Sequence, residues 1–228
     1  ITQELKEIED KLLGATEKSI ALESKIFEEL KLQLLKVVPK LLSTARSISI
    51  IDTLLSFAEV SVSGNYTKPV VSDKIDNINI VDGRHPVVEK LSTKGDFVPN
   101  DTLLDNNQNR AMIITGPNMA GKSTYMRQVA LIAIMAHIGC FVPARSAQIS
   151  VLDRIFTRIG ASDDLAYGQS TFMVEMVEVA TILQNATIKS LLVLDEIGRG
   201  TSTFDGLAIA RAVMEDVAKR IRCKTMFS

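Results

Sequence analysis

The first sixty residues carry apolar side chains at helical spacing, with charged or other polar side chains at most other positions. The apolar residues recur three or four positions apart, which traces one stripe along a helix. The stripe consists of Leu5, Ile8, Leu12, Ala15, Leu22 and Ile26, continued by Leu30, Leu34 and Val37, and a second run holds Leu41, Ala45, Ile48, Ile51, Leu55 and Ala58. Glutamates and lysines fill the other faces, which is typical of a long, partly solvated or coiled-coil-like helix.

Two residues could interrupt this helical segment. Gly14 is a candidate break, and Pro39 is expected to kink or divide the helix, because proline lacks an amide donor and clashes with the preceding turn. If residues 15–61 were nearly straight, they would span ~70 Å at 1.5 Å per residue. That length predicts a mechanical connector. Two ordinary helices folded back at Pro39 stay open as an alternative.

Short strands and turns replace this pattern further along the chain. We expect a helical segment at 1–61, a linker at 62–74 and an α/β domain at 75–228. The predicted strands are 78–81, 102–105, 111–115, 148–151, 155–159, 191–194 and 223–228, with a turn at 82–83. The predicted helices are 124–137, 172–185 and 203–222. Strands that alternate with helices indicate an α/β nucleotide-binding sheet.

A glycine-rich loop lies between the apolar run 111–115 and the helix that follows it. It has the phosphate-loop pattern G-x-x-x-x-G-K-S, and a loop in this position directs backbone N–H groups at an anion. A chance glycine-rich turn is the alternative, although the strand–loop–helix context argues against it. We therefore predict nucleoside triphosphate binding by Gly116, Pro117, Asn118, Met119, Ala120, Gly121, Lys122, Ser123 and Thr124.

Three side chains of this loop have candidate roles. Lys122 can reach the terminal phosphates, and the hydroxyl of Ser123 can hold Mg²⁺. Asn118 can hydrogen-bond a phosphate oxygen or the attacking water, whereas Met119 is expected to pack.

Four large apolar residues followed by two carboxylates form a second motif at 191–196. Such a strand is typical of a parallel sheet that is buried on both faces. Asp195 would then lie at the carboxyl end of the strand, where it can hold Mg²⁺ through water. Glu196 can orient or deprotonate the attacking water, so the pair favours hydrolysis. A helix-capping Asp195 beside a solvated Glu196 is the alternative.

Composition narrows the choice of partners. The net charge of −1 gives no global attraction for nucleic acid, so any DNA contact must come from a local patch or from parts outside this sequence. Cys140 and Cys223 match no metal spacing and are expected to be buried free thiols. We see no signal peptide, and no apolar run that reaches the ~18 residues of a membrane span. Both ends look cut, so we expect a piece of a longer protein.

Five segments, in this order, resemble the ATPase domain of the MutS family of DNA mismatch-repair proteins. They read GRHPVVE at 83–89, TGPNMAGKSTYMRQ at 115–128, FVPA at 141–144, STFMVEM at 170–176 and LDEIGRGTST at 194–203. Phosphate loops alone are common, whereas this ordered set is specific. The resemblance covers nearly the whole chain, since the helical front is similar to the end of the family's clamp and lever helices.

The resemblance implies an ATP-binding-cassette-type P-loop NTPase domain preceded by a long α-helical lever. Such domains dimerise head to tail, and Ser170 corresponds to a serine that faces the partner's nucleotide. A plain helix-capping serine is the alternative for Ser170. Phe97 matches an aromatic residue that is expected to stack on adenine, with ordinary core packing as its alternative. The resemblance further implies ATP or ADP and Mg²⁺ as ligands, and an interface loop at 198–202.

The implied activity is ATP hydrolysis, with Lys122 and Glu196 as catalytic residues, coupled to binding of mismatched double-stranded DNA through N-terminal domains absent from this sequence. The resemblance also implies a homodimer or a heterodimer with a paralogue, a MutL-type repair partner and no membrane contact. The implied location is cytoplasmic and nucleoid-associated, or nuclear in a eukaryote. The alternatives are another cassette ATPase, a recombination-type paralogue that binds branched DNA, and a non-catalytic binding module. The last is disfavoured because Lys122, Asp195 and Glu196 are all present.

Four further residues could be mistaken for catalytic groups. His85 and His137 are expected to be structural. Arg84 and Arg199 are candidate charged links at the site or at an interface, and the sequence does not rank them.

Overall fold

The computed structural model describes residues 2–91, 97–117, 119–159 and 171–228. The chain divides into two compact units, Ile1–Ser56 and Phe57–Ser228. Helix α1 (Gln3–Ser63) accounts for the described part of the first unit and reaches the start of the second. The second unit holds every strand named below, in a mixed α/β arrangement.

Helix α1 continues through both residues that were expected to interrupt it. Gly14 and Pro39 each lie inside its helical span, so the predictions of a break at Gly14 and of a divided helix at Pro39 are wrong for the secondary structure. A single glycine lowers helix stability by only about 1 kcal/mol. Proline removes one hydrogen bond, and helix propagation on both sides offsets that loss because helix formation is cooperative.

Helix α1 nevertheless contains one segment of membrane-spanning length. It contains an 18-residue window with a mean hydropathy of 1.2, long and apolar enough to cross a membrane by length and composition. An uninterrupted apolar run is absent because charged residues lie between the apolar ones, which is why the sequence pattern did not indicate it. One such helix is weak support for a membrane span, since length and composition are its only basis.

Among the described residues, the first of two four-stranded sheets has the order β1-β5-β2-β3. Its strands are β1 (Val70–Ser72), β2 (Ile78–Gly83), β3 (Asn100–Leu104) and β5 (Ser146–Ser150). Strand β2 is antiparallel to β3 and β5, and β1 is parallel to β5. The register shifts between Ile80 and Gly83, and Asp82 has φ +49°. The turn expected at 82–83 is therefore a bulge within β2.

The second sheet is entirely parallel and has the order β4-β8-β7-β6. Its strands are β4 (Ala111–Ile113), β6 (Ile155–Arg158), β7 (Leu191–Leu194) and β8 (Lys224–Phe227). Every residue of β7 and β8 is buried, as expected for a parallel sheet covered on both faces. Because the strands are parallel, their carboxyl ends meet at one edge, where such sheets bind ligands.

Three described helices of this unit follow the predicted positions closely. They are α3 (Lys122–His137), α4 (Thr171–Asn185) and α5 (Thr203–Asp216). A further short helix, α2 (Val88–Leu91), was not predicted. Helix α5 is followed by a short π-helix, Val217–Ile221, which ends at Arg222 with φ +63°. The helix expected at 203–222 is thus two segments.

Two hydrophobic clusters hold the second unit together. Strand alternation assigns Leu191 and Val193 to the cluster around α3, whereas Leu192 and Leu194 pack with residues of α4 and α5. The α3 cluster also includes Ile78 and Leu104 of the first sheet, so α3 packs on residues of both sheets. This packing fixes the start of α3 beside the carboxyl ends of β4 and β7.

Candidate nucleotide-binding site

The loop between β4 and α3 is shaped by left-handed backbone positions. Gly116 has φ +149°, Met119 has φ +66° and Gly121 has φ +88°. Gly121 is the N-cap of α3 and supplies no side chain to cap it. The first N–H groups of a helix lack partners within the helix, so this end of α3 offers donors and a positive dipole to an anion. Asn118 lies outside the described residues.

Lys122 folds back over this loop. Its Nζ donates hydrogen bonds to the carbonyl oxygens of Gly116 at 2.7 Å and Pro117 at 3.3 Å. These are neutral acceptors, and a phosphate oxygen would form a stronger, charge-assisted hydrogen bond with the ammonium group. The lysine is therefore held near the loop and can exchange its acceptors for an anionic ligand.

Asp195 follows β7 and is 2% exposed. Its backbone N–H donates to the Arg158 carbonyl at 2.7 Å, which fixes the residue at the sheet edge. Its Oδ1 accepts no hydrogen bond within the described part of the chain. A buried carboxylate oxygen without a partner is unfavourable, and a bound cation would compensate it.

The loop and the two carboxylates line one cavity of about 330 Å³. Its lining includes Lys122, Ser123, Thr124, Asp195, Glu196 and Arg199. Mg²⁺ is commonly held by one or two protein oxygens together with substrate phosphates. Ser123 and Asp195 suit that arrangement, and in the described ranges no cluster of three or more His, Cys, Asp or Glu offers a metal cage by itself.

A second cavity of about 400 Å³ adjoins the other side of the loop. Phe97, Ile114 and Tyr125 contribute to its lining, and Gly121, Lys122 and Thr124 border both cavities. The half-buried Phe97 is therefore beside the loop, where a flat ring could stack on it.

Tyr125 supports this second cavity and was not singled out from the sequence. Its hydroxyl lies 2.9 Å from the Thr102 hydroxyl and donates to the Asp101 carbonyl at 3.0 Å. Burial raises the pKa of the Tyr125 phenol, so it stays a neutral donor. These contacts join α3 to β3, a pairing that spacing along the chain does not reveal.

Glu196 adopts a left-handed backbone conformation, with φ +56°. Its N–H donates to the Ser228 carbonyl at 3.1 Å, and its Oε2 accepts from Arg199 Nη1 at 2.5 Å. Arg199 therefore lies at the site. Arg84 instead donates to Glu89 Oε2 and to the Gly64 carbonyl, both at 2.7 Å. The structure thus separates the two arginines that the sequence did not rank.

The loop after Glu196 packs tightly against the start of α5. Gly198 has φ +85°, and a Cβ built on it would lie 2.7 Å from the Gly206 Cα. A Cβ on Gly206 would collide with the Gly198 carbonyl oxygen. Only glycine fits at both positions, which accounts for the close packing of this loop on α5 within the chain and identifies Gly206, which the sequence did not single out.

Gly206→Ala should destabilise the protein by about 1–3 kcal/mol, because the added methyl meets backbone that cannot move cheaply. Urea denaturation would measure the change. Gly14→Ala is the matched control, since nothing lies within 4 Å of a Cβ at that helical position. It should be neutral or stabilising by up to about 1 kcal/mol. Equal effects of the two substitutions would contradict the proposed packing.

Both histidines have structural partners. His85 is 7% exposed, and its Nδ1 accepts from the N–H groups of Val87 and Val88, both at 3.3 Å. His137 Nδ1 lies 2.7 Å from the Ala133 carbonyl, and its Nε2 accepts from the Leu152 N–H at 3.0 Å. These contacts agree with the structural roles expected for both residues.

Burial, assisted by the nearby charge of Arg127, lowers the pKa of His85 below its ordinary 6.5. The folded protein thus favours the neutral ring, and His85 contributes stability above pH 6.5 that is lost as the pH falls through the lowered pKa. We expect the melting temperature to fall between pH 7.5 and pH 5.5 more steeply in the wild type than in His85→Gln. Scanning calorimetry would measure both slopes, and identical slopes would remove His85 as the source.

The two cysteines are free and buried, as the sequence indicated. Burial raises the pKa of both thiols. Ser170 lies outside the described residues, so its assignment stays a prediction.

These observations define a class of protein: a mixed α/β protein with a glycine loop at a helix start and an aspartate–glutamate pair at the edge of a parallel sheet. Residues 112–228, more than half of the chain, match the family description "MutS domain V". The chain belongs to the MutS family.

Individual MutS proteins align with the whole length of this chain. It is similar to the DNA mismatch repair protein MutS of Acetivibrio thermocellus, with 62% identity over 228 residues, and to that of Ruminiclostridium cellulolyticum, with 62% identity over 230 residues. It is 60% identical over 230 residues to the protein of the same name from Clostridium botulinum. All of this chain is covered in each case, but only 26%, 26% and 25% of the relatives. The chain thus spans about a quarter of their length.

Proposed function

We propose that this chain is the ATP-binding and ATP-hydrolysing part of a longer MutS-type mismatch-repair protein, built on an ATP-binding-cassette-type P-loop fold. The observation that carries the proposal is the shared cavity, where Lys122 and Ser123 lie opposite Asp195 and Glu196. Two motifs about 70 residues apart in sequence supply the phosphate-binding and hydrolytic groups that this chemistry needs.

The loop and the start of α3 bind the phosphates in this proposal. Backbone N–H groups at Gly121 and beyond meet the phosphate oxygens, and Lys122 exchanges its carbonyl acceptors for them. Phe97, in the adjoining cavity, stacks on the adenine. Ser123 and Asp195, whose Oδ1 accepts no hydrogen bond within the described ranges, would hold Mg²⁺, and the cation would supply positive charge to neutralise the phosphates.

Glu196 orients and deprotonates the water that attacks the terminal phosphate. Its pairing with Arg199 fixes the carboxylate at the mouth of the cavity, with 34% of its side chain exposed. Arg199 thereby governs how freely Glu196 turns toward the water. Positioning and electrostatic stabilisation supply most of the catalysis in such reactions.

A partner protomer completes the site in this proposal. Ser170, just before α4, contacts the nucleotide of the other subunit in a homodimer or a heterodimer with a paralogue. Two exposed apolar side chains on α5, Phe204 and Leu207, are 86% and 69% exposed next to the interface loop and support a covered surface there.

The rest of the assembly is proposed from the family. Residues 1–61 act as lever, 62–74 as linker and 75–228 as ATPase domain, and the lever couples nucleotide state to mismatched-DNA binding elsewhere in the longer protein. A MutL-type partner and a location in the bacterial cytoplasm, near the nucleoid, follow from the same reasoning. The named relatives are mismatch-repair proteins, which favours this function over branched-DNA recombination.

The test is phosphate release from ATP by the longer protein that contains this chain. We expect release that requires Mg²⁺ and changes when a mismatched duplex is added, with a matched duplex as control. Absence of release in Mg²⁺ would overturn the proposed ATPase. A response to a four-way junction but not to a mismatch would replace mismatch repair with the branched-DNA alternative.

A further inference from the structure

Glu175 is a buried carboxylate of α4 that no role above uses. It is 3% exposed, and its Oε1 accepts a hydrogen bond from the backbone N–H of Gly198 at 2.5 Å. Neither cavity, as far as the described residues extend, has Glu175 in its lining. Burying a carboxylate is unfavourable unless hydrogen bonds compensate for its lost hydration. A buried glutamate at this position therefore indicates a role beyond packing.

The bond meets the loop that carries the hydrolytic carboxylate. Gly198 lies two residues after Glu196, whose φ of +56° is uncommon for a residue with a side chain. A strained residue of this kind persists only where surrounding contacts hold it. On the N-terminal side, the N–H of Glu196 donates to the Ser228 carbonyl. On the C-terminal side, Glu196 is held by the contacts of the residues that follow it.

Contacts of Arg199 and Gly198 hold that C-terminal side, and the Arg199 N–H donates to the Glu196 carbonyl at 3.4 Å. Gly198 rests on the backbone of Gly206, and its N–H is held by Glu175. A Cβ built on Gly200 would lie 3.2 Å from Phe172 Cα and 3.4 Å from Glu175 Oε2, so the first turn of α4 also borders the loop closely. Glu175 therefore makes a buried polar contact between α4 and this loop.

We propose that Glu175 is a positioning residue for hydrolysis: through the Gly198 N–H it holds Glu196 in its reactive placement and ties that placement to α4. The inference rests on the proposed ATPase function. Since a carboxylate acceptor makes a strong, charge-assisted bond, its loss frees the loop. A shift of about 1 Å in a catalytic group can slow a reaction by about 10²-fold.

The role predicts a split between binding and turnover. In the longer protein, Glu175→Ala should slow single-turnover ATP hydrolysis by about 10–100-fold. The dissociation constant for ATP should stay within about twofold, because, among the described residues, Glu175 lines neither cavity and forms no hydrogen bond with the loop at 116–123. Glu175→Gln keeps an oxygen acceptor for the Gly198 N–H and should restore the rate to within about fivefold of wild type.

Glu178 supplies the matched control, one turn further along α4. Its Oε2 pairs with Arg158 Nε at 2.9 Å and takes no part in the Gly198 contact. Glu178→Gln keeps an oxygen acceptor for the buried Arg158 and should leave the hydrolysis rate within about twofold. An equal loss in Glu178→Gln and Glu175→Ala would show a general effect of α4 docking and overturn the inference, as would wild-type hydrolysis in Glu175→Ala.

A double variant tests whether Glu175 acts through Glu196. If it does, adding Glu175→Ala to Glu196→Gln should slow hydrolysis by less than about twofold more, because the group it positions is already lost. If the two substitutions slowed hydrolysis independently, so that their effects multiplied, Glu175 would not act through Glu196.

Amide hydrogen exchange separates this inference from the ATPase proposal. The Gly198 N–H should be protected in the wild type and in Glu175→Gln, and exposed in Glu175→Ala. An inactive wild type overturns both proposals, even if this protection pattern confirms the contact itself. An active wild type with an unaffected Glu175→Ala overturns only the positioning role.

Discussion

Glu196→Gln is expected to slow ATP hydrolysis by roughly 10²–10⁴-fold while ATP still binds, since a lost general base has effects of that size. Glutamine keeps the shape of the side chain and can still accept from Arg199, but it cannot take a proton from water. Affinity should stay within about twofold, because the loop and Lys122 are untouched. Single-turnover hydrolysis and equilibrium binding measure the two steps separately.

Glu215→Gln is the control for this substitution. Glu215 forms exposed pairs with Arg211 and Lys219 on the helical face of α5 and the π-helix. Removing one exposed carboxylate there should leave both rate and affinity unchanged. Normal hydrolysis by Glu196→Gln would mean that another group positions the water.

Lys122→Ala should weaken ATP binding by about 10–100-fold, because a hydrogen bond to a charged group contributes about 1.5–3 kcal/mol. The side chain contributes a positive charge and the donors that now bond Gly116 and Pro117. Its loss removes the one charged side chain that the described part of the loop at 116–123 contributes to the cavity next to Ser123. Isothermal titration with ATP in Mg²⁺ measures the change.

Lys189→Ala is the matched control, because Lys189 is an exposed lysine between α4 and β7. It should bind ATP as the wild type does. If Lys122→Ala kept full affinity, the phosphates would lie elsewhere, and the proposed use of the loop would be wrong. Unlike Glu196→Gln, Lys122→Ala acts on ATP binding. The two variants therefore distinguish the role of the loop in binding from the role of Glu196 in hydrolysis.

Local sequence patterns predicted most of the α/β unit. The run at 191–194 is fully buried in β7, because continuous apolar residues suit a strand covered on both faces. The glycine loop lies between β4 and α3, in the order that its neighbours indicated. Both motifs are short, and the strand or helix beside each one determines its conformation. Parallel strands place their carboxyl ends at one edge of the sheet, so the expectation of a parallel sheet also predicted that the two motifs lie close together.

Features that depend on distant contacts were not predicted. Glu175 meets Gly198, Gly206 packs on Gly198, and Tyr125 reaches Thr102, each through the fold rather than through spacing. The local rule for proline predicted an interruption at Pro39, but α1 continues through it, because cooperativity along the helix outweighs one missing hydrogen bond. The bulge at Asp82 depends on its pairing with two neighbouring strands.

A crystal structure of the chain with Mg²⁺ and ADP would show whether the loop at 116–123 binds the nucleotide phosphates. We expect the β-phosphate against the N–H groups at the start of α3, with Lys122 Nζ moved from the Gly116 carbonyl to a phosphate oxygen. We also expect Mg²⁺ beside Ser123 and Asp195, and the adenine beside Phe97. Nucleotide bound away from the loop at 116–123, or Lys122 still bonded to Gly116 with ADP present, would contradict this expectation.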